Sequence, residues 1–313
     1  MKTKLCLSLA LAFAAFAQPT QAQNHVLGLD TNGVTFEVVA RTGAFTGKSE
    51  LAFTSFSLGA TTRKGNILYY VAIPSGGTDP ALFAANSKTS AVTVTDLDRN
   101  ESVRALFFSG RSLYGVLYDA LSNSAGVYRI NPATGVTSLV VDLSGLDVEP
   151  IPGALAKVGK AYSMLVKPEV DSARRQLLTF RLRAGSAAVV EVADKDGVPV
   201  QCNKLKPNKA KKDFVCLASA ANDTQVDFCR LNSRGVARCV TTLPAIERVG
   251  SGHTLLTTDE ANYFAFVYVP GEPDNQHLIR LNSRGAIKSN VALPTISIGG
   301  HFLTEAPAPT PQK

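Results

Sequence analysis

Val127–Val141 reads VYRINPATGVTSLVV. A strand-like run, Val127 to Ile130, meets Asn-Pro-Ala-Thr-Gly, and a second strand-like run follows from Val136. This is the signature of a β-hairpin whose turn ends in glycine. The shape recurs. Leu178–Val190 reads LTFRLRAGSAAVV, and the hexapeptide RLNSRG stands at Arg230–Gly235 and again at Arg280–Gly285, each time between strand-like runs. The turn glycines Gly135, Gly185, Gly235 and Gly285 lie fifty residues apart. Glycine at the end of such a turn supplies a positive φ that other residues resist.

Two degenerate copies lie upstream. Leu82–Val94 carries Ser90 in place of the glycine, and Leu27–Val39 carries Gly33. Six hairpins result. The intervals between them hold further strand-like runs, such as Leu51–Phe56 with Ile67–Ile73, Arg104–Phe108 with Leu113–Tyr118, and Tyr263–Val269. Four short strands per unit, repeated about every fifty residues, is the arithmetic of a propeller blade. No stretch of useful length has helical periodicity. A β-sandwich of two meander domains is the competing all-β arrangement, but it does not call for a fixed period.

The phrase VYRINPATGVTSLVVDL at Val127–Leu143, with its fellow hairpins, resembles the six-bladed β-propeller superfamily. The resemblance spans residues 25–304 and points to no particular family within the superfamily. It implies an all-β fold of six four-stranded antiparallel blades around a channel. The hairpin at 25–40 lacks two preceding strands, and Thr295–Thr304 can supply one or two. The expected closure therefore has N- and C-terminal strands sharing one blade, which leaves no open sheet edge.

The chain begins with a basic pair, Lys2 and Lys4, then an apolar run from Leu5 to Ala17, then small residues at Thr20 and Ala22. That order predicts a signal peptide over 1–22, with Ala17 as the second-choice cleavage point. The propeller domain is expected over 23–304, followed by a Pro-rich tail at 305–313. No later segment is long and apolar enough for a membrane helix. The expected location is secreted or extracellular, and periplasmic in a bacterial host. Of five cysteines, Cys6 leaves with the signal. The even remainder in an exported chain reads as disulfides. Zinc is the rival, but these cysteines form no CxxC and have no histidine close by. In the blade reading all four fall in one unit. Cys229 and Cys239 flank the NSRG turn, while Cys202 and Cys216 flank the segment NKLKPNKAKKDFV. Pairing Cys216 with Cys229 would strand Cys202 and Cys239 on the innermost and outermost strands, out of mutual reach. Structural staples at 202–216 and 229–239 are therefore expected. Asn100 and Asn222 head N-x-S/T sequons, N-glycan acceptors in a eukaryotic host.

The formal net charge is +7. With strands a to d running outward, the a–b and c–d turns share one end of the propeller, and the b–c and d–a loops share the other. The turn end then gathers cations, among them Lys88, Arg111, Lys157, Lys160, Arg183, Arg234 and Arg284. It also receives Lys204, Lys206, Lys209, Lys211 and Lys212 from one loop. The other end gathers acids such as Glu149, Glu169, Asp171 and Asp194. A basic face attracts polyanions, and an exported chain meets anionic polysaccharide or an extracellular protein partner. Nucleic acid is set aside, because no aromatics interleave with the lysines for base stacking. Ordinary solvated turns without a partner are the competing account.

Chemistry has thinner support. No GxSxG elbow, HExxH, P-loop or dinucleotide fingerprint is present. His253 and His301 fall near proposed innermost strands, where they can face each other as a base pair or metal ligands, whereas His25 and His277 read as structural. Asp194-Lys-Asp-Gly lacks most of a calcium loop and reads as a turn. No catalytic residue, metal ligand or resident cofactor is assigned, with Ca²⁺ the one ion considered. The resulting expectation is a non-catalytic binding or scaffold propeller. A Ca-dependent hydrolase or lactonase-like enzyme with its site in the channel is the alternative.

Overall fold

The computed structural model describes residues 25–29, 34–39, 45–50, 53–86, 88–89, 91–171, 173–208, 212–219, 225–246, 248–249, 252–253, 255–257, 262–271, 276–293 and 301–305. The expected signal peptide, Ser90, Gly33 and all of the expected tail but Glu305 lie outside them, and Glu305 ends a strand instead. No α-helix occurs among the described residues.

The chain opens with β1 (His25–Leu29), β2 (Val34–Val39) and β3 (Phe45–Glu50). Four-stranded antiparallel blades follow in chain order. The first holds β4 (Phe53–Lys64), β5 (Ile67–Pro74), β6 (Ala81–Asn86) and β7 (Val92–Asp96). The second holds β8 (Ser102–Ser109), β9 (Ser112–Asp119), β10 (Ser124–Ile130) and β11 (Thr137–Asp142). The third is β12 (Val148–Val158), β13 (Ala161–Pro168), β14 (Gln176–Arg181) and β15 (Ser186–Glu191). The fourth is β16 (Cys202–Asn208), β17 (Asp213–Ser219), β18 (Val226–Leu231) and β19 (Ala237–Thr242). In the fifth, the innermost position is split. β20 (Arg248–Val249) and β22 (Leu255–Thr257) both pair with β23 (Asn262–Tyr268), which leads to β24 (Gln276–Asn282) and β25 (Ile287–Ala292). Between β20 and β22 runs β21 (Gly252–His253), and the last described strand is β26 (His301–Glu305).

Five blades are thus present where six equivalent ones are expected from the sequence. The remaining sheet has a different construction, with strand order β21-β26-β1-β2-β3. β26 pairs antiparallel with β1, so strands from near both ends of the chain meet in one sheet, but β21 joins β26 in parallel. The count departs because the hairpin β1–β2 continues into a third strand, β3, and because β21 is diverted from the fifth blade.

Strand alternation explains where the core lies. Each blade has two faces, and both are apolar because a neighbour covers each one. Ala105, Val116 and Val127 of the second blade pack with Met164, Leu178 and Phe180 of the third. Leu165 and Leu177 of the third meet Phe214, Cys216 and Leu231 of the fourth. Val215, Leu217 and Phe228 of the fourth meet Tyr263, Ala265 and Ile279 of the fifth. Each fully buried Phe or Leu contributes about 2–3 kcal/mol of transfer free energy. Much of the apolar burial therefore lies between blades. The innermost strands pack successively, β4 on β8, β8 on β12, β12 on β16 and β16 on β22, while β26 touches both β22 and β4.

Candidate anion-binding face

The turn end is shaped by one residue that the glycine pattern overlooks. Asn232 Oδ1 accepts from the backbone N–H groups of Arg234 (2.9 Å) and Val236 (3.1 Å). Asn282 does the same for Arg284 (2.9 Å) and Ala286 (3.0 Å). Asn131 and Asn86 begin the matching turns at Ala133 and Lys88. At 131–135, 232–235 and 282–285 asparagine thus opens the turn and glycine closes it. The expected positive φ is found at Gly135 (72°), Gly185 (60°), Gly235 (82°) and Gly285 (80°).

These turns also dock on the blade before them. Thr95 Oγ1 donates to the carbonyl of Pro132 (3.2 Å), Arg230 Nη2 to that of Ser283 (3.1 Å) and Thr241 Oγ1 to that of Arg284 (3.1 Å). The N–H of Ala193 donates to the carbonyl of Gly235 (3.1 Å). The docking contacts use turn backbone, so the turn side chains are released to solvent.

Charge pairing divides the molecule. The described ion pairs are Arg99–Glu101, Arg104–Glu149 (3.3 Å), Lys167–Glu149 (3.7 Å), Arg174–Asp171 (3.2 Å) and Lys195–Asp196 (2.8 Å). All belong to the loop end or the strand ends beside it. At the turn end, Lys88, Arg111, Lys157, Lys160, Arg183, Arg234 and Arg284 are exposed, and none pairs with a described carboxylate. Lys64 donates Nζ to the carbonyl of Arg111 (3.2 Å) and stands over the Phe108 ring at 4.8 Å. Lys157 covers the Tyr162 ring at 5.1 Å. Exposed pairs contribute little to stability. The division matters for the field it produces, since paired charges cancel locally and unpaired ones do not.

The lysine-rich segment needs correction. Lys204 and Lys206 belong to innermost strand β16, not to a turn. They stand opposite Leu217 and Val215, on the side facing the fifth blade. The alternation Lys-Leu-Lys reads as a loop when the strand is assumed to need a fully apolar pattern. An innermost strand need not have one. Both side chains are half-buried, and burial pushes their ammonium groups down to about 8. For Lys204 the neighbouring charge of Lys206 adds to the effect. Lys212 is exposed in the a–b turn, with φ of 55°, whereas Lys209 and Lys211 lie outside the described residues. Arg234 and Arg284 are on the turn end as expected. Among the strand cations that the sequence reading left unsorted is Arg129, an exposed residue of β10, which stands opposite Tyr114 and Ser138.

The disulfides are Cys202–Cys216 and Cys229–Cys239, with Cα separations of 5.8 and 3.8 Å. Each strand of the fourth blade gives one cysteine. Asn100 is exposed between β7 and β8, and Asn222 lies outside the described residues. His277 is buried, with Nδ1 2.7 Å from Asn290 Oδ1. The backbone brings His253 and His301 onto paired strands, Gly252 opposite His301 and His253 opposite Phe302. Asp194 Oδ1 accepts from the N–H groups of Asp196 and Val198, which makes its segment a turn. No group of three His, Cys, Asp or Glu residues suited to a metal occurs among the described residues. No helix there is long and apolar enough to cross a membrane.

Solved structures with this arrangement exist. TolB from Acinetobacter baumannii superposes with a TM-score of 0.62 at 12% identity, over 90% of this chain and 65% of that one. The fold is a β-propeller. The chain thus spans about two-thirds of the length of that TolB. A putative TolB from Agrobacterium tumefaciens gives 0.55 at 7% identity, over 91% and 99% of the two chains. A putative 6-phosphogluconolactonase from Bacteroides fragilis reaches 0.49 at 10% identity, over 91% and 99%, which carries no argument. No protein-family model and no curated protein matches the chain.

Proposed function

We propose that this propeller is an exported, non-catalytic binding protein that engages an anionic partner through its turn end. The observation that carries the reading is the separation of charge: ion pairs gather toward the loop end, while the turn end presents exposed cations without described partners. A long anionic chain meets there a field in which cations outnumber carboxylates such as Asp98 and Asp213. Acidic polysaccharide or an acidic extracellular protein surface is the partner class. The proposed mature chain starts at residue 23, after a leader over 1–22. Counting the β21-β26-β1-β2-β3 sheet as a blade gives a six-bladed ring, a count supported by the contacts of β26 with β22 and β4.

The test is salt elution from a heparin column. A variant carrying Lys157→Ser, Lys160→Ser, Arg234→Ser and Arg284→Ser is compared with one carrying Arg174→Ser and Lys195→Ser at the loop end. Native protein is expected to elute above about physiological ionic strength, the first variant well below it, and the second with the native protein. Equal losses in both variants would reduce the effect to net charge and remove the face.

A Ca-dependent hydrolase is the second reading. Its sequence basis is the pair His253 and His301, but the register sets His253 opposite Phe302 and Gly252 opposite His301, so the two positions alternate rather than align. Metal analysis of purified protein tests it: stoichiometric tightly held Ca²⁺ supports the enzyme, and its absence supports the binding protein.

A further inference from the structure

A cavity of about 370 Å³ opens between the a–b and c–d turns of the second blade. Arg111 and Arg129 line it, with Ser112 and Ser138 beside them and Pro132 and Val136 forming an apolar wall. No carboxylate is among its lining residues. Both arginines are exposed, and neither side chain makes a hydrogen bond or ion pair with a described residue. Lys64, held against the carbonyl of Arg111, puts a third cation at the rim. Val136 is 55% exposed.

We infer that this cavity seats a single carboxylate or sulfate group carried on a sugar ring, that is, one acidic unit of a polysaccharide. The inference deepens the reading of the turn end as an anion-binding face, and rests on it for the class of ligand. Guanidinium groups present forked donors that match a carboxylate or a sulfate in two-point geometry. The two serine hydroxyls can serve ring hydroxyls or the anion's remaining oxygens. Pro132 and Val136 offer a surface for the C–H face of a pyranose. A long polyanion binds anywhere on a basic face, but an acidic sugar needs cations, hydroxyls and an apolar wall in one concavity, and this cavity has all three.

Calorimetric titration of the full chain with three short oligosaccharides tests the inference: a uronic acid oligomer, a sulfated oligomer and a neutral oligomer of similar length. Arg111→Gln and Arg129→Gln are compared with Arg174→Gln and Lys195→Gln, which alter loop-end cations away from the cavity. Native protein is expected to bind an acidic oligomer and not the neutral one. Whichever acidic oligomer binds identifies the anion as carboxylate or sulfate. Each cavity variant is expected to lose about tenfold or more in affinity, and the other two variants less than about threefold. Unchanged thermal midpoints would exclude misfolding as the cause. Equal losses in all four variants, or equal binding of the neutral oligomer, would overturn the cavity. Failure of native protein to bind heparin, with tight cavity-dependent binding of an acidic oligomer, would remove the extended face and leave the cavity.

Discussion

Gly235 and Gly185 end equivalent turns fifty residues apart, yet they do different work. Both hold φ values open to glycine, 82° and 60°. A Cβ on Gly185 would find only the Val140 carbonyl at 3.6 Å, whereas one on Gly235 would overlap the backbone carbonyl of Glu191 in the preceding blade. Gly185→Ala should therefore cost only the left-handed backbone strain, about 1 kcal/mol. Gly235→Ala should cost about 3 kcal/mol or more, because the turn must lift off its neighbour. Urea denaturation midpoints measure the difference, and equal shifts would refute the docking role. The glycines were legible in the sequence because a positive φ leaves few alternatives. The asparagines that open the turns at 131, 232 and 282 were not singled out. Asn is common in any loop, and only the paired acceptance at 232 and 282 reveals its part. Arg129 escaped for another reason: it alternates with apolar neighbours in β10 and reads as an ordinary outward strand residue.

At the scale of elements, the fourth blade carries a row of cysteines across its strands. Cys216 stands opposite Cys229 in register, and Cys229 opposite Cys239. Cys202, Cys216 and Cys229 are buried, while Cys239 is exposed. Replacing Cys202 with Ser leaves the Cys216 thiol facing the second disulfide. Its thiolate can attack the Cys229 sulfur, form Cys216–Cys229 and release Cys239 as the free thiol. Maleimide labelling with non-reducing peptide mapping should therefore find the label on Cys239. A label confined to Cys216 would show that the pair cannot exchange. The pairing itself was readable from turn positions and chain order. The strand boundaries beside it were harder to read, since β16 hides Lys204 and Lys206 within a segment that looks like a charged loop. The strand is nonetheless paired throughout with β17, and its two lysines stand half-buried on the side facing the fifth blade rather than in a solvated turn.

For the whole molecule, the hairpin period carried the architecture and the blade count was the part that changed. A repeat shows how each unit is built, but closure depends on where the ends meet, and no local pattern encodes that meeting. Here β26 pairs with β1 and also touches β22 and β4. Ending the chain before His301 should detach β1–β3 from the rest. The expected result is a thermal midpoint lowered by more than about 5 °C, with limited proteolysis cutting first within residues 25–50. An unchanged midpoint would mean that the five blades hold together without that clasp. The docking of turn carbonyls has a different sort of consequence. Ser283, Arg284 and Pro132 grip the neighbouring blade through atoms that every residue type possesses. The letters displayed at that end are thus free to change while the joints stay the same. Selection, or a protein engineer, can rewrite what the face recognises without renegotiating how the ring is assembled.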